Sequence, residues 1–119
     1  MAKQTSVTIY HNPKCSTSKQ VLAMIEEAGL KPTIVEYLKV GWTKTKLRAL
    51  FVAAGLTPRQ ALRRRQHEAE ELGLLDDSVT DAQILDAMVA HPVLVERPFV
   101  ETPRGVRLAR PKERARELF

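Results

Sequence analysis

The chain has 119 residues, of which 44% are hydrophobic, and a formal net charge of +5, which fits one domain with a single core. The only cysteine is Cys15, so an internal disulfide or dithiol pair is excluded and a reducing cytoplasmic location is expected. One cysteine and three scattered histidines also argue against a zinc site. No apolar run approaches the roughly 18 residues of a membrane helix, and aromatic residues make up 5%, so neither a membrane nor a nucleic acid is an expected partner.

The first third of the chain predicts a compact β-α-β unit. Residues 1–6 are polar without a signal-peptide pattern, and the alternating residues 7–10 predict a strand. Residues 33–38 predict a second strand, and a unit of this size favours a parallel pair with a right-handed crossover. Between the strands, a helix ending at Gly29 is indicated by an apolar stripe of Val21, Leu22, Ile25 and Ala28.

The middle of the chain is predicted to be helical. Thr43 and Gly55 are typical of the two ends of one helix, and residues 57–58 (Thr-Pro) open a shorter one. A capping box at Thr80 begins a further helix, which residues 91–92 (His-Pro) end.

The last third returns to strands. Residues 98–101 and 106–108 flank the turn-rich residues 102–105 and predict a β-hairpin, and residues 110–111 (Arg-Pro) begin a charged terminal helix. The order β-α-β, helical insertion, β-β-α predicts an α/β, thioredoxin-like fold with a mixed central sheet, in one domain spanning residues 1–119.

Cys15 lies between the first strand and the first helix, where a thiol becomes reactive. Asn12 and Pro13 suit a helix N-cap and a first helical residue; in the alternative, a tight loop leads to a helix beginning one or two residues after Cys15. In both cases the sulfur is close to unpaired helix N–H groups, which stabilise a thiolate.

A helix terminus alone does not explain a thiolate at neutral pH. Lowering the pKa by about two units requires about 2.7 kcal/mol, and a helix terminus supplies about 0.3–2 kcal/mol, so a cationic neighbour must contribute. Candidates are His11, Lys14 and Lys19, although His11 could instead be an exposed loop residue. Thr17 and Ser18 could line an anion pocket or could simply begin the helix.

Ser18 occupies the position where a Cys-x-x-Cys motif would have its second cysteine. Whatever forms on Cys15 must therefore be resolved by an external thiol.

Residues 10–18, Tyr-His-Asn-Pro-Lys-Cys-Ser-Thr-Ser, resemble the active-site loop of glutaredoxin-coupled arsenate reductases. Residues 59–63, 91–98 and 102–111 resemble the three arginine segments of that family, in the same order and spacing, and residues 71–74 also fit.

The resemblance implies a thioredoxin-like fold, a cis peptide before Pro98, and Cys15 as the nucleophile with His11 favouring its thiolate. The arginines that it assigns to the oxyanion are Arg63, Arg97 and Arg110. It further implies arsenate as substrate, glutathione as co-substrate, glutaredoxin as partner and no bound cofactor. We expect a monomer.

Each arginine also has an ordinary interpretation, and only the set together with Cys15 favours an anion site. Arg63 could be part of a solvated basic run, Arg97 a charge at the hairpin edge, and Arg110 a helix-start residue. Two alternative functions stay open at this point: a non-enzymatic thioredoxin-like regulator that binds RNA polymerase, and a glutathione-dependent monothiol exchange enzyme. Ser18 and the arginine set argue against the regulator.

Overall fold

The computed structural model describes residues 6–119; of the polar stretch predicted for residues 1–6, residues 1–5 lie outside the described residues. The chain forms two compact units, one containing the described residues up to Val40 together with Arg97–Phe119, the other containing Gly41–Glu96. The elements of the first unit are β1 (Thr8–Tyr10), α1 (Ser16–Glu27), β2 (Thr33–Val35), α2 (Tyr37–Val40), β3 (Phe99–Thr102), β4 (Gly105–Leu108) and a 3₁₀ helix (Lys112–Leu118).

The sheet of the first unit has the strand order β2-β1-β3-β4 and confirms the predicted mixed α/β architecture. β1 and β2 are parallel, whereas β1 with β3 and β3 with β4 are antiparallel. Tyr10 lies opposite Phe99, and Phe99 lies opposite Leu108. The segments that follow β1 and β4 and the segment that precedes β3 therefore meet at one edge of the sheet.

α1 packs on this sheet through the predicted apolar stripe. Val21 and Ile25 are fully buried, whereas Ala28 is exposed because α1 ends at Glu27 and Ala28 is its C-cap. The buried cluster around the helix consists of Val7, Ile9, Val21, Ile25, Val100, Ala109, Ala115 and Leu118.

The second strand is shorter than predicted. β2 ends at Val35, and Tyr37–Val40 form α2, because the N–H groups of Lys39 and Val40 both donate to the carbonyl of Glu36. Tyr and Leu at positions 37 and 38 favour a strand locally, but the helical turn buries Tyr37 completely, and tertiary packing decides.

The second unit is helical, as predicted. Thr43 accepts a hydrogen bond from the N–H of Lys46, and Thr57 and Thr80 each form a complete capping box, while Gly55 ends a helix at φ 71°. The elements of this unit are α3 (Lys44–Ala54), α4 (Pro58–Ala61), α5 (His67–Glu71), α6 (Asp81–Ala90) and a 3₁₀ helix (Pro92–Leu94).

Two details differ from the sequence-based expectation. α5 and the 3₁₀ helix after α6 were not predicted separately, since neither has a full period of apolar residues. The terminal helix is 3₁₀ in form, with Ala115 and Leu118 buried three residues apart as that geometry requires. Within residues 6–119, no helix has both the length and the apolar character needed to cross a membrane.

We expect Ile25→Ala to lower the free energy of unfolding by about 2–5 kcal/mol, because Ile25 is fully buried and its loss leaves a cavity between α1 and the sheet. Ile34→Ala is the matched control: Ile34 is 47% exposed, and we expect a loss of about 1 kcal/mol or less. Urea unfolding followed by circular dichroism measures both, and equal losses would contradict the proposed core.

Candidate active site

The loop between β1 and α1 is organised by Asn12. Its side-chain Oδ1 accepts a hydrogen bond from the N–H of Lys14 at 2.9 Å, and its carbonyl accepts one from the N–H of Cys15 at 3.0 Å. These bonds form an Asx turn with Pro13 at its centre, an arrangement that both residue types favour. The prediction of Asn12 as N-cap is therefore wrong, and the alternative is correct: Cys15 is the N-cap and α1 begins at Ser16.

His11 is buried, which rules out the interpretation as an exposed loop residue. Its N–H donates to the carbonyl of Val35 at 2.8 Å, and its Nδ1 lies 2.6 Å from the hydroxyl oxygen of Ser18. Burial lowers the pKa of His11; the Lys19 ammonium lowers it further, and the Glu36 carboxylate opposes them. These surroundings therefore favour the neutral form of the imidazole.

The Ser18 side chain lies inside the protein rather than in a solvent-facing pocket. It is fully buried, and its oxygen also accepts a hydrogen bond from the N–H of Asn12 at 3.1 Å. His11, Asn12 and Ser18 thus fix the loop to the first turn of α1, and it is the backbone N–H of Ser18 that faces the sulfur.

The thiol of Cys15 is partly exposed, and opposing effects act on it. Burial raises the pKa of Cys15, but the N–H of Ser18, the guanidinium of Arg97 and the N–H of Thr17 outweigh it, so the pKa lies below its ordinary value. Arg97 is thus the cationic neighbour that the free-energy argument for a thiolate required. Cys15 is the N-cap of α1 and makes no side-chain capping hydrogen bond, in contrast to Thr43 at the start of α3.

Arg97 and Arg110 come together at the same edge of the sheet. Arg97 is buried just before β3, and its carbonyl accepts a hydrogen bond from Nη1 of Arg110 at 3.0 Å. The Arg97–Pro98 peptide is cis, which confirms the expectation for that bond, and Arg110–Pro111 is cis as well. Arg110 and Thr17 line a cavity of about 220 Å³ beside the first turn of α1.

Arg63 belongs to the second unit, where it is held by hydrogen bonds. Its N–H donates to the carbonyl of Leu94 at 2.8 Å, and its Nη1 lies 3.2 Å from Oε1 of Glu96. The Arg63 side chain is only 16% exposed, whereas its neighbours Arg64 and Arg65 are exposed. Arg63 is therefore not part of a solvated run, and its role toward an oxyanion stays a prediction.

Sequence reasoning missed several residues beside the predicted site. Lys112 and Glu113, which appeared to be ordinary charges of a terminal helix, line the cavity together with Gln20. The spacing of Gln20 three residues after Thr17 on one helix face could have indicated it. Among residues 6–119, no group of three or more His, Cys, Asp or Glu side chains is arranged to hold a metal ion.

Comparison with known proteins gives consistent matches over nearly the whole chain. Residues 10–118 match the ArsC family. An arsenate reductase of Synechocystis sp. is 57% identical over 116 residues, which cover 98% of this chain and 81% of that protein. An arsenate reductase of Escherichia coli (strain K12) is 44% identical over 115 residues, which cover 97% and 82%. The solved structure of an arsenate reductase from Vibrio cholerae is similar with a TM-score of 0.94 at 36% identity, covering 98% of this chain and 100% of that one.

Arg97→Met should raise the pKa of Cys15, because it removes a guanidinium that stabilises the thiolate while keeping most of the buried volume. The rate of iodoacetamide alkylation measured against pH reports the change as a midpoint displaced to higher pH. Lys14→Met is the control, since this exposed cation is next to Cys15 in sequence but is not among the groups that lower its pKa. Equal displacement in both variants would assign the effect to general positive charge.

Proposed function

The chain belongs to the ArsC family, and we propose that it is an arsenate reductase in which Cys15 is the nucleophile and glutathione and glutaredoxin supply the reducing equivalents. The observation that carries this proposal is a partly exposed thiol whose pKa is lowered by a helix N-terminus and a buried arginine. Relatives with 57% and 44% identity named as arsenate reductases support an enzyme over the regulator and thiol-exchange alternatives.

The charges around Cys15 suit a tetrahedral oxyanion. Arsenate carries mostly two negative charges near neutral pH, and guanidinium groups offer paired donors that match its oxygens and stay charged. Arg97 and Arg110 supply two such groups, and the N–H groups of Thr17 and Ser18 add the positive end of the α1 dipole. Arg63 is the third arginine of the proposed oxyanion site, because residues 59–63 resemble an arginine segment of the family.

The proposed reaction begins when the Cys15 thiolate attacks arsenic and displaces water or hydroxide, giving a covalent cysteine–arsenate adduct. A glutathione thiolate then attacks the Cys15 sulfur and forms an S–S bond; the S–As bond breaks, its electron pair goes to arsenic, and As(V) leaves as arsenite, As(III). The two electrons come from two thiols, which become one disulfide, and glutaredoxin then reduces this mixed disulfide. The protein contributes positioning and charge stabilisation, so the proposal requires no bound cofactor.

The protein's own residues also maintain the nucleophile between turnovers. His11 and Asn12 hold Ser18 so that its N–H faces the sulfur, which lowers the pKa of Cys15 and favours the thiolate form. Because the chain has no second cysteine, regeneration depends on external thiols, and a reducing cytoplasm is the proposed location.

Cys15→Ser should abolish arsenate reduction, because a serine hydroxyl has a far higher pKa than a thiol and is not ionised near neutral pH. Arsenite formed from arsenate, with glutathione and glutaredoxin present, is the measurement. Ser16→Ala is the control: Ser16 is exposed next to Cys15, and its loss should leave activity nearly unchanged. Turnover by the serine variant near the wild-type rate would disprove the mechanism.

Among the arginines, we expect Arg63→Ala, Arg97→Ala and Arg110→Ala each to lower kcat/KM for arsenate. Losing one charge-assisted hydrogen-bond partner costs about 1.5–3 kcal/mol, or roughly 10- to 150-fold. Arg64→Ala and Arg65→Ala should have much smaller effects, since both side chains are exposed.

The contrast within residues 63–65 is the decisive part of this experiment. A diffuse basic surface would make all three substitutions equivalent, whereas a specific site requires Arg63 alone of the three. Similar losses at these positions in steady-state kinetics would remove Arg63 from the proposed oxyanion site.

A further inference from the structure

A cavity of about 220 Å³ with three charged side chains in its lining lies beside the first turns of α1, and its lining residues are Thr17, Gln20, Arg110, Pro111, Lys112 and Glu113. We propose that this cavity binds the γ-glutamyl end of the thiol co-substrate, the part of glutathione that carries an α-carboxylate and an α-ammonium group. This inference rests on the proposed function, because it assumes a glutathione-type thiol as the second reactant.

The charges of the lining residues favour a zwitterion over a simple anion. Arg110 and Lys112 are cationic and can pair with a carboxylate, whereas Glu113 is anionic and can pair with an ammonium group. A second arsenate, with two negative charges, would be repelled by Glu113. The glycyl end of glutathione carries a carboxylate alone, so only the γ-glutamyl end complements both signs.

The cavity is at a suitable distance from the nucleophile. Gln20 lies five positions after Cys15, and a rise of 1.5 Å per residue places them about 7.5 Å apart along the axis of α1. In glutathione, the arm from the thiol to the far end of the γ-glutamyl group is about two extended residues long, or about 7 Å. A head group in the cavity therefore lets the thiol reach the Cys15 sulfur.

Arg110 connects the cavity to the thiol site. Its Nη1 is fixed on the carbonyl of Arg97, and the Arg97 side chain interacts with Cys15. Thr17 also links the two places, because its N–H lowers the pKa of Cys15 and the residue lines the cavity. The two reactants would thus occupy adjoining parts of one surface.

Thiols that differ from glutathione at a single end provide the test. With the wild-type enzyme, we expect similar KM values for glutathione and γ-glutamylcysteine, and a KM about tenfold higher for cysteinylglycine, which lacks the γ-glutamyl group. The double variant Lys112→Met/Glu113→Gln should raise KM for glutathione about three- to tenfold while KM for cysteinylglycine changes by less than about twofold.

A matched double variant, Lys31→Met/Glu27→Gln, removes the same charges elsewhere in this unit and should leave both values unchanged, because Lys31 and Glu27 are exposed and do not line this cavity. Binding of S-methylglutathione, followed by calorimetry, gives a readout that needs no turnover. We expect Lys112→Met/Glu113→Gln to weaken it by the same three- to tenfold factor.

The outcomes separate this inference from the proposed function. If no thiol supports arsenate reduction, the proposed function fails, and S-methylglutathione binding still decides the cavity. If arsenite forms but the cavity variant affects glutathione and cysteinylglycine equally, or binds S-methylglutathione as the wild type does, the inference is overturned while the function stands.

Discussion

The hydrogen-bonded register of β1, β3 and β4 is the constraint on which the site depends. Tyr10 opposite Phe99, and Phe99 opposite Leu108, bring the loop of Cys15 to the same sheet edge as Arg97 and Arg110. Cys15 is near one end of the chain and the two arginines are near the other, so only the pairing of the strands brings them together. A register slip of one residue would turn the strand side chains to the opposite face, so the core that fixes the register also protects the site.

At the sulfur, the balance between burial and charge decides the chemistry. Burial raises the pKa of Cys15, yet partial enclosure also strengthens the interaction with Arg97 by lowering the local dielectric. A helix N-terminus alone provides too little free energy for the expected thiolate, so the arginine is essential to the electrostatic argument. In the proposed reaction, the same guanidinium that favours the thiolate would also attract the oxyanion, so that two negatively charged reactants could approach one another.

Local signals in the sequence predicted much of the fold. Helices are capped where expected, by Thr43, Thr57 and Thr80, and β3 and β4 form the expected hairpin. Caps and turns are predictable because they depend on a few neighbouring residues. Prediction was less successful elsewhere. Burial of Tyr37 by non-local packing ended β2 early, and the local signals around Asn12 left two helix starts open, between which the hydrogen bonds of the loop with Ser18 decide. Cys15 could be identified from its uniqueness and position, and the arginines from family resemblance alone, whereas Arg97 as its electrostatic partner required the sheet.

The first unit is assembled from both ends of the chain, and this has a consequence during synthesis. A growing chain carries Cys15 from the start, but β3 and Arg97 follow only after residues 41–96 have been translated. Until then, the sulfur lacks both its guanidinium neighbour and the strand that fixes the edge of the sheet. In a chain that has not yet reached Arg97, the pKa of the Cys15 thiol is therefore closer to its ordinary value, because the guanidinium that lowers it is absent.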